Sequence, residues 1–125
     1  MSERRIKREA ASDYDVQNDS FFAYSKDVKY KSSIDIDGII LDIGEDNSIM
    51  GIEILDASKK FGISKYDVQH YKKLNVQMDI SPKVIDLKMT MRVGKRNAEV
   101  LREAAASALN IMNLPVGSDS LAVGM

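Results

Sequence analysis

Residues 85–112 read IDLKMTMRVGKRNAEVLREAAASALNIM, and the fold class turns on how the second half of this run is read. Ile85, Leu87, Met89, Met91 and Val93 alternate with Asp86, Lys88, Thr90 and Arg92. A period of two is the signature of a strand with one apolar and one wet face. Gly94 to Asn97 is turn-like. From Ala98 to Met112 the chain is dense in Ala, Glu, Leu and Arg, strong helix formers, and composition predicts a helix there. The alternative is a return strand, because a long amphipathic strand needs a neighbour for its backbone N–H and C=O groups. Should the 85–93 strand lie at an edge, Ile85, Leu87, Met89, Met91 and Val93 form a candidate interaction surface, where its apolar face and free backbone take up another chain. Methionine suits irregular apolar gaps, so Met89, Met91 and Met112 read as core or interface filling.

Upstream, Asp13 to Val16 and Phe21 to Tyr24 flank Gln17-Asn-Asp-Ser20, a hairpin turn sequence. Ser33-Ile-Asp-Ile-Asp37 alternates again, Gly38 interrupts it, and Ile39 to Ile43 and Ile49 to Leu55 follow on either side of a turn in which Asn47 tolerates a left-handed backbone. A meander of about five antiparallel strands is the economical arrangement. Asp56 or Ser58 can cap a short helix ending at Phe61 before Gly62. A second helix is predicted from Ser64, with Val68, Tyr71 and Leu74 as its apolar face and Asp67 completing a capping-box pattern. Asn75 to Pro82 reads as a connector, and Leu121-Ala-Val123 as an edge strand or a disordered tail. The expected fold class is therefore α+β: an antiparallel β meander of about five strands plus a long C-terminal strand, with one to three helices packed on the sheet. The organisation is one domain, 1–125, with a basic N-terminus over 1–11 open to disorder, a sheet and short helix over 12–62, and a helix, long strand and C-terminal extension over 63–125.

The net charge of −1 is unevenly spread. Residues 1–11 hold four Lys or Arg against two Glu, residues 12–56 three against eleven acids, and residues 57–125 eleven against six. Charge runs of this kind generally mark solvated faces, and an acidic face meeting a basic partner is the sharper alternative. The chain has no cysteine, so disulfides, thiolate nucleophiles and Cys-based zinc sites are excluded. MSERRIKREAAS lacks the apolar run of a signal peptide, and no stretch reaches the ~18 apolar residues of a membrane span, which together predict cytoplasmic residence and no membrane partner.

Tyr14-Asp15, Asn18-Asp-Ser-Phe-Phe22, Asp37-Gly-Ile-Ile-Leu-Asp42 and above all Gly51-Ile-Glu-Ile-Leu-Asp-Ala-Ser58 resemble the domain-of-unknown-function family 2283, small prokaryotic proteins. The resemblance runs from about Tyr14 to Phe61. It implies a small antiparallel sheet followed by a helix, carries no catalytic residue, and brings an antitoxin-like partner role in some members.

His70 is the only histidine, so one chain cannot assemble a multi-histidine metal site. Asp35, Asp37, Asp42 and Glu53 lie on or beside neighbouring strands, where carboxylates facing one another share a proton or hold a hard cation. Their spacing fails the calcium loop, since Gly44 stands where the bidentate Glu belongs. In the Gly51 to Leu55 strand, Glu53 falls on the face opposite Ile52 and Ile54 and is expected to point outward. No Gly-x-Gly-x-x-Gly or Walker loop is present. Arg4, Arg5, Arg8, Lys95, Arg96 and Arg102 are interleaved with Glu3, Glu9, Glu99 and Glu103, and the pI is 5.8, which disfavours nucleic acid as a partner. The expectation is a non-enzymatic protein-interaction module without cofactor or metal, self-associating as a homodimer through a C-terminal strand or helix. An antitoxin-like regulator or nucleic-acid binder using the basic termini is the first alternative, and a carboxylate-based hydrolase or divalent-cation site the second.

Overall fold

Apolar and polar residues take turns along most of this chain, and the molecule is built accordingly. The computed structural model describes residues 4–26 and 28–124, with side chains from Glu9 onward. Strands take up 62% of it and helix 9%. In chain order the elements are β1 (Arg4–Asp15), β2 (Ser20–Tyr24), β3 (Tyr30–Ile36), β4 (Ile39–Gly44), β5 (Ile49–Ile54), α1 (Ala57–Phe61), α2 (Lys65–Gln69), β6 (Lys73–Ile80), β7 (Val84–Lys95), β8 (Ala98–Leu109) and β9 (Gly117–Gly124). All nine strands join one sheet, ordered β3-β4-β5-β2-β1-β9-β6-β7-β8, that curls into a half-barrel.

This corrects the α+β expectation of a five-strand meander with packed helices. The two helices are five residues each. Composition fails over 98–109 because β7 must satisfy its backbone along twelve residues, and β8 pairs with all of them from Val84↔Leu109 to Lys95↔Ala98. The N-terminal strands are not a simple meander either. β5 returns beside β2, so β2 to β5 take a Greek-key order. The second helix stops at Gln69, and the expected connector is β6, whose Leu74, Val76, Met78 and Ile80 alternate inward. The C-terminal Leu121 to Val123 lies inside the sheet, since β9 pairs parallel with β1 and antiparallel with β6. From Arg4 on, the basic N-terminal stretch is not disordered but is strand β1, paired with β9; Met1 to Glu3 lie outside the described residues.

One buried cluster fills the hollow of the curl, drawing Phe21 from β2, Leu41 from β4, Ile52 and Ile54 from β5, Leu74 and Met78 from β6, Leu87 and Met89 from β7 and Val123 from β9. Asn47, expected to tolerate a left-handed backbone, has φ 65, and Gly38 in the β3–β4 turn has φ 80.

Candidate functional site

Two edges end the sheet, β3 and β8, and they differ. Edge strands expose unpaired N–H and C=O groups and are ordinarily blunted by bulges, charge or proline. β3 is blunted: its register with β4 shifts between Tyr30 and Ser32, and Lys31 at the irregularity donates to Asn47 Oδ1 at 2.6 Å. β8 carries no lysine and no proline and its pairing with β7 is unbroken, with its charges, Glu99, Arg102 and Glu103, confined to its first half. β3 and α1 come near β8 where the sheet curls round, but neither pairs with it.

The β7–β8 hairpin turns on Arg96-Asn97, with Asn97 at φ 60. A two-residue turn closes on a pair that exchanges both hydrogen bonds, here Lys95 and Ala98. Even-numbered β8 residues therefore direct their backbone groups at β7, and Glu99, Leu101, Glu103, Ala105, Ser107 and Leu109 direct theirs at the open edge. Ala104, Ala106 and Ala108 face the core opposite Met89, Leu87 and Ile85, small partners for large side chains. On the outer face Leu101 is 56% exposed and Leu109 69%, followed beyond the strand by Ile111 at 85%. Lys88–Glu103 (3.6 Å) and Arg92–Glu99 (3.4 Å) span the hairpin as exposed ion pairs, worth at most ~1 kcal/mol each. Ser107 Oγ donates to Asp86 Oδ1 at 2.6 Å. Among these groups lies a shallow depression of about 380 Å³, floored by Ala104 to Ala106 and walled by Asp79, Asp86, Lys88 and Glu103.

Ile85, Leu87, Met89, Met91 and Val93, the interaction surface expected from sequence, are each 1% exposed or less. β7 is paired on both sides, so these side chains are core and the open edge belongs to β8. Asp35, Asp42 and Glu53 lie on the face of β3, β4 and β5 turned away from the hollow, Asp35 and Glu53 each opposite Ile40. Asp35 is exposed and accepts from Gly38 N at 3.0 Å. Asp37 is in the β3–β4 turn with φ 52. Asp42 accepts from Ser33 Oγ at 2.8 Å, and half-buried Glu53 lies opposite Phe22 on one side and Ile40 on the other. Gly51 leaves room for this arrangement, since a Cβ there would stand 3.1 Å from the Ala23 carbonyl and 3.2 Å from Asp42 Oδ2. Among the described residues no group of three or more His, Asp or Glu side chains gathers as a metal site. His70 is exposed, bonded through Nδ1 to the Tyr66 carbonyl at 2.9 Å and set against the Tyr66 ring. Lys95 pairs with Asp67, which with Ser64 Oγ caps α2, and this holds the Asp67 carboxyl below its ordinary pKa. Arg96 and Arg102 lie at the hairpin tip and on β8, while the Arg4, Arg5 and Arg8 side chains fall outside the described residues.

Two buried acids were not singled out by sequence reasoning. Asp119, 1% exposed on the core side of β9, is partnered. Asp19 sits in the β1–β2 turn with φ 53 and reaches across to α1. It accepts from Ser58 N at 3.0 Å, from Ser58 Oγ at 2.6 Å and from the Tyr14 hydroxyl at 2.6 Å. Asp19 thus serves the N-terminus of α1, in place of Asp56, whose side chain makes no cap bond. Burial pushes the Asp19 carboxyl up, but the bonds from Ser58 and Tyr14 outweigh it and hold the pKa below the ordinary value. Burial raises the Tyr14 phenol, and its bond to Asp19 adds to the rise. The signal was in the sequence, as Asn18-Asp19 and Ala57-Ser58 are both parts of the family-like pattern.

Fold and edge together define a small all-β protein with one guarded and one open strand edge. Residues 12–58 of the chain match the model of the family described as "Protein of unknown function (DUF2283)". It is 49% identical over 109 residues to a Methanosarcina mazei protein named "Putative hypoxanthine phosphoribosyltransferase", covering 87% of this chain and 89% of that one. It is 34% identical over 106 residues to an uncharacterised protein of Methanocaldococcus jannaschii, covering 84% and 91%. Both similarities run well past residue 58 and at least into β8, so β6 and β7 are part of what is shared. No solved structure matches the chain.

Proposed function

We propose that this protein is a non-enzymatic, cytoplasmic interaction module that works as a homodimer, with the open edge of β8 as its docking surface. The observation that carries the reading is the contrast between the two edges: β3 is blunted by a bulge and a lysine, whereas twelve residues of β8 are unpaired on one side and carry neither. An unbulged, unpaired edge of this length is a template for a further strand, with main-chain hydrogen bonds supplying affinity. Analytical ultracentrifugation of the native chain tests it: a concentration-dependent dimer is expected, and a single 14.0 kDa species at every concentration overturns the reading.

The name of the Methanosarcina mazei relative supplies a second reading, phosphoribosyl transfer to hypoxanthine. Weighing against it here are the missing glycine-rich phosphate loop and helices of only five residues. Incubating the protein with hypoxanthine and a phosphoribosyl donor decides between the two. Nucleotide formation would replace the interaction reading with an enzymatic one.

A further inference from the structure

We infer that two copies join by antiparallel pairing of β8 with β8 about a two-fold axis through Ala105, making one continuous sheet of twice nine strands. The inference rests on β8 being the docking edge and adds the register.

A two-fold axis perpendicular to the sheet keeps the core faces of both copies on one side. Each β8 residue must then lie opposite a residue of the same parity, which leaves a short series of registers, each centred on one residue. Centring on Arg102 or on Glu103 places that charge directly opposite itself, and like charges facing across a strand pair are destabilising. Centring on Ala104 puts Glu99 opposite Leu109 of the second copy, and centring on Ala106 puts Glu103 there. Centring on Ala105 does neither. It sets Leu101 opposite Leu109 on both sides of the axis, Glu103 opposite Ser107, Ala104 opposite Ala106, and Ala105 opposite itself.

Three structural features fit that register. The outward-directed backbone groups belong to the odd-numbered residues, so Leu101–Leu109, Glu103–Ser107 and Ala105–Ala105 become pairs that exchange both hydrogen bonds. The exposed leucines, Leu101 and Leu109, are four residues to either side of the centre, and pairing covers both. The shallow depression on the outer face is floored at Ala104 to Ala106, so no bulky side chain obstructs the axis. A second copy is the occupant because β8 is complementary to itself: its charged residues fall in its first half and its small residues in its second, and antiparallel pairing brings the halves together.

Cysteine substitution tests the register, since the chain has no cysteine of its own. In the Ala105-centred pair the two Cα atoms at 105 stand about 5.5 Å apart, within disulfide reach. Copies of Ala104 are offset by two residues and copies of Glu103 by four, beyond it. Ala105→Cys is expected to form a disulfide-linked dimer under mild oxidation, while Ala104→Cys and Glu103→Cys, each with an unchanged melting temperature, stay monomeric on a non-reducing gel. Mixing Glu103→Cys with Ser107→Cys chains is expected to yield the linked heterodimer. Leu101→Glu, which leaves the core untouched, is expected to weaken native dimerisation at least tenfold. If the native chain dimerises but linkage is fastest at Ala104 or Glu103, the register is overturned and the docking edge stands. If the native chain stays monomeric and no variant links, both fall.

Discussion

Asp19→Ala probes the joint between the β1–β2 turn and α1. The carboxylate is 5% exposed and accepts three hydrogen bonds, two from Ser58 and one from Tyr14. Hydrogen bonds to a charged acceptor contribute roughly 1.5–3 kcal/mol, and a buried donor left without its partner loses about that much. Ser58 is buried and cannot turn its N–H to water, whereas half-buried Tyr14 can swing its hydroxyl outward. The Ser58 pair therefore accounts for about 3 kcal/mol of the loss and Tyr14 for less. The left-handed backbone at φ 53 adds about 1 kcal/mol, since Ala tolerates it less well than Asp. The expected cost is about 4 kcal/mol, a large share of the roughly 5–15 kcal/mol that holds a domain together. Urea denaturation is the assay. Asp19→Asn, which keeps the turn and one acceptor oxygen, is expected to lose about half as much.

Acid titration adds an independent reading of the same residue. The folded-state pKa of Asp19 is depressed, so its contribution is fully present above the unfolded carboxyl value of about 4 and disappears as pH falls through the lower folded value. Asp19→Asn should therefore show a shallower loss of stability on the acid side than the native chain. An Asp19→Ala cost below about 1 kcal/mol, with an unchanged acid limb in Asp19→Asn, would refute the assignment of Asp19 as the organiser of α1.

Two further outcomes follow from the packing. Met89→Ala removes a fully buried side chain lying opposite Val76 and Ala104 and is expected to cost about 3 kcal/mol in urea denaturation; a cost below about 0.5 kcal/mol would mean that β7 presents this face to solvent or to a partner. Asp67→Asn breaks the pair with Lys95, whose side chain is 47% exposed, and is expected to cost about 1 kcal/mol at neutral pH. Because the folded Asp67 pKa is depressed, that difference should vanish as pH falls below the carboxyl range, and its persistence at pH ~2 would locate the effect in the cap rather than in the charge.

Alternation made β7 legible from sequence, and it placed Ile52 and Ile54 of β5 inward with Glu53 on the other face, but Met50, expected with them, is half-buried because the register shift opposite it turns Ile49 inward instead. The same rule was available for β6, where Leu74, Val76, Met78 and Ile80 keep a strict period of two. It was masked because Val68, Tyr71 and Leu74 also fit the spacing of a helix face. Short apolar sets satisfy both periods at a boundary, and the helix stops when His70 takes the cap position. The order of the strands was not legible. Nothing local in β9 says that it enters between β1 and β6; that placement depends on Leu121 and Val123 finding the core across a long sequence separation.

β8 shows why its conformation and its role are one question. As a helix, 98–109 would satisfy its own backbone and leave β7 as the edge, with Met89 and its neighbours beside an open strand. As a strand it buries those side chains under Ala104, Ala106 and Ala108, and moves the unsatisfied backbone one strand outward. The alanines that argue for helix by propensity are thus the residues that let a second strand lie close to Met89 and Leu87, and then leave its outer edge unencumbered. Propensity was outweighed by the twelve backbone partners that β7 requires, and the same small side chains turn the solution of that packing problem into a surface at which another strand can join.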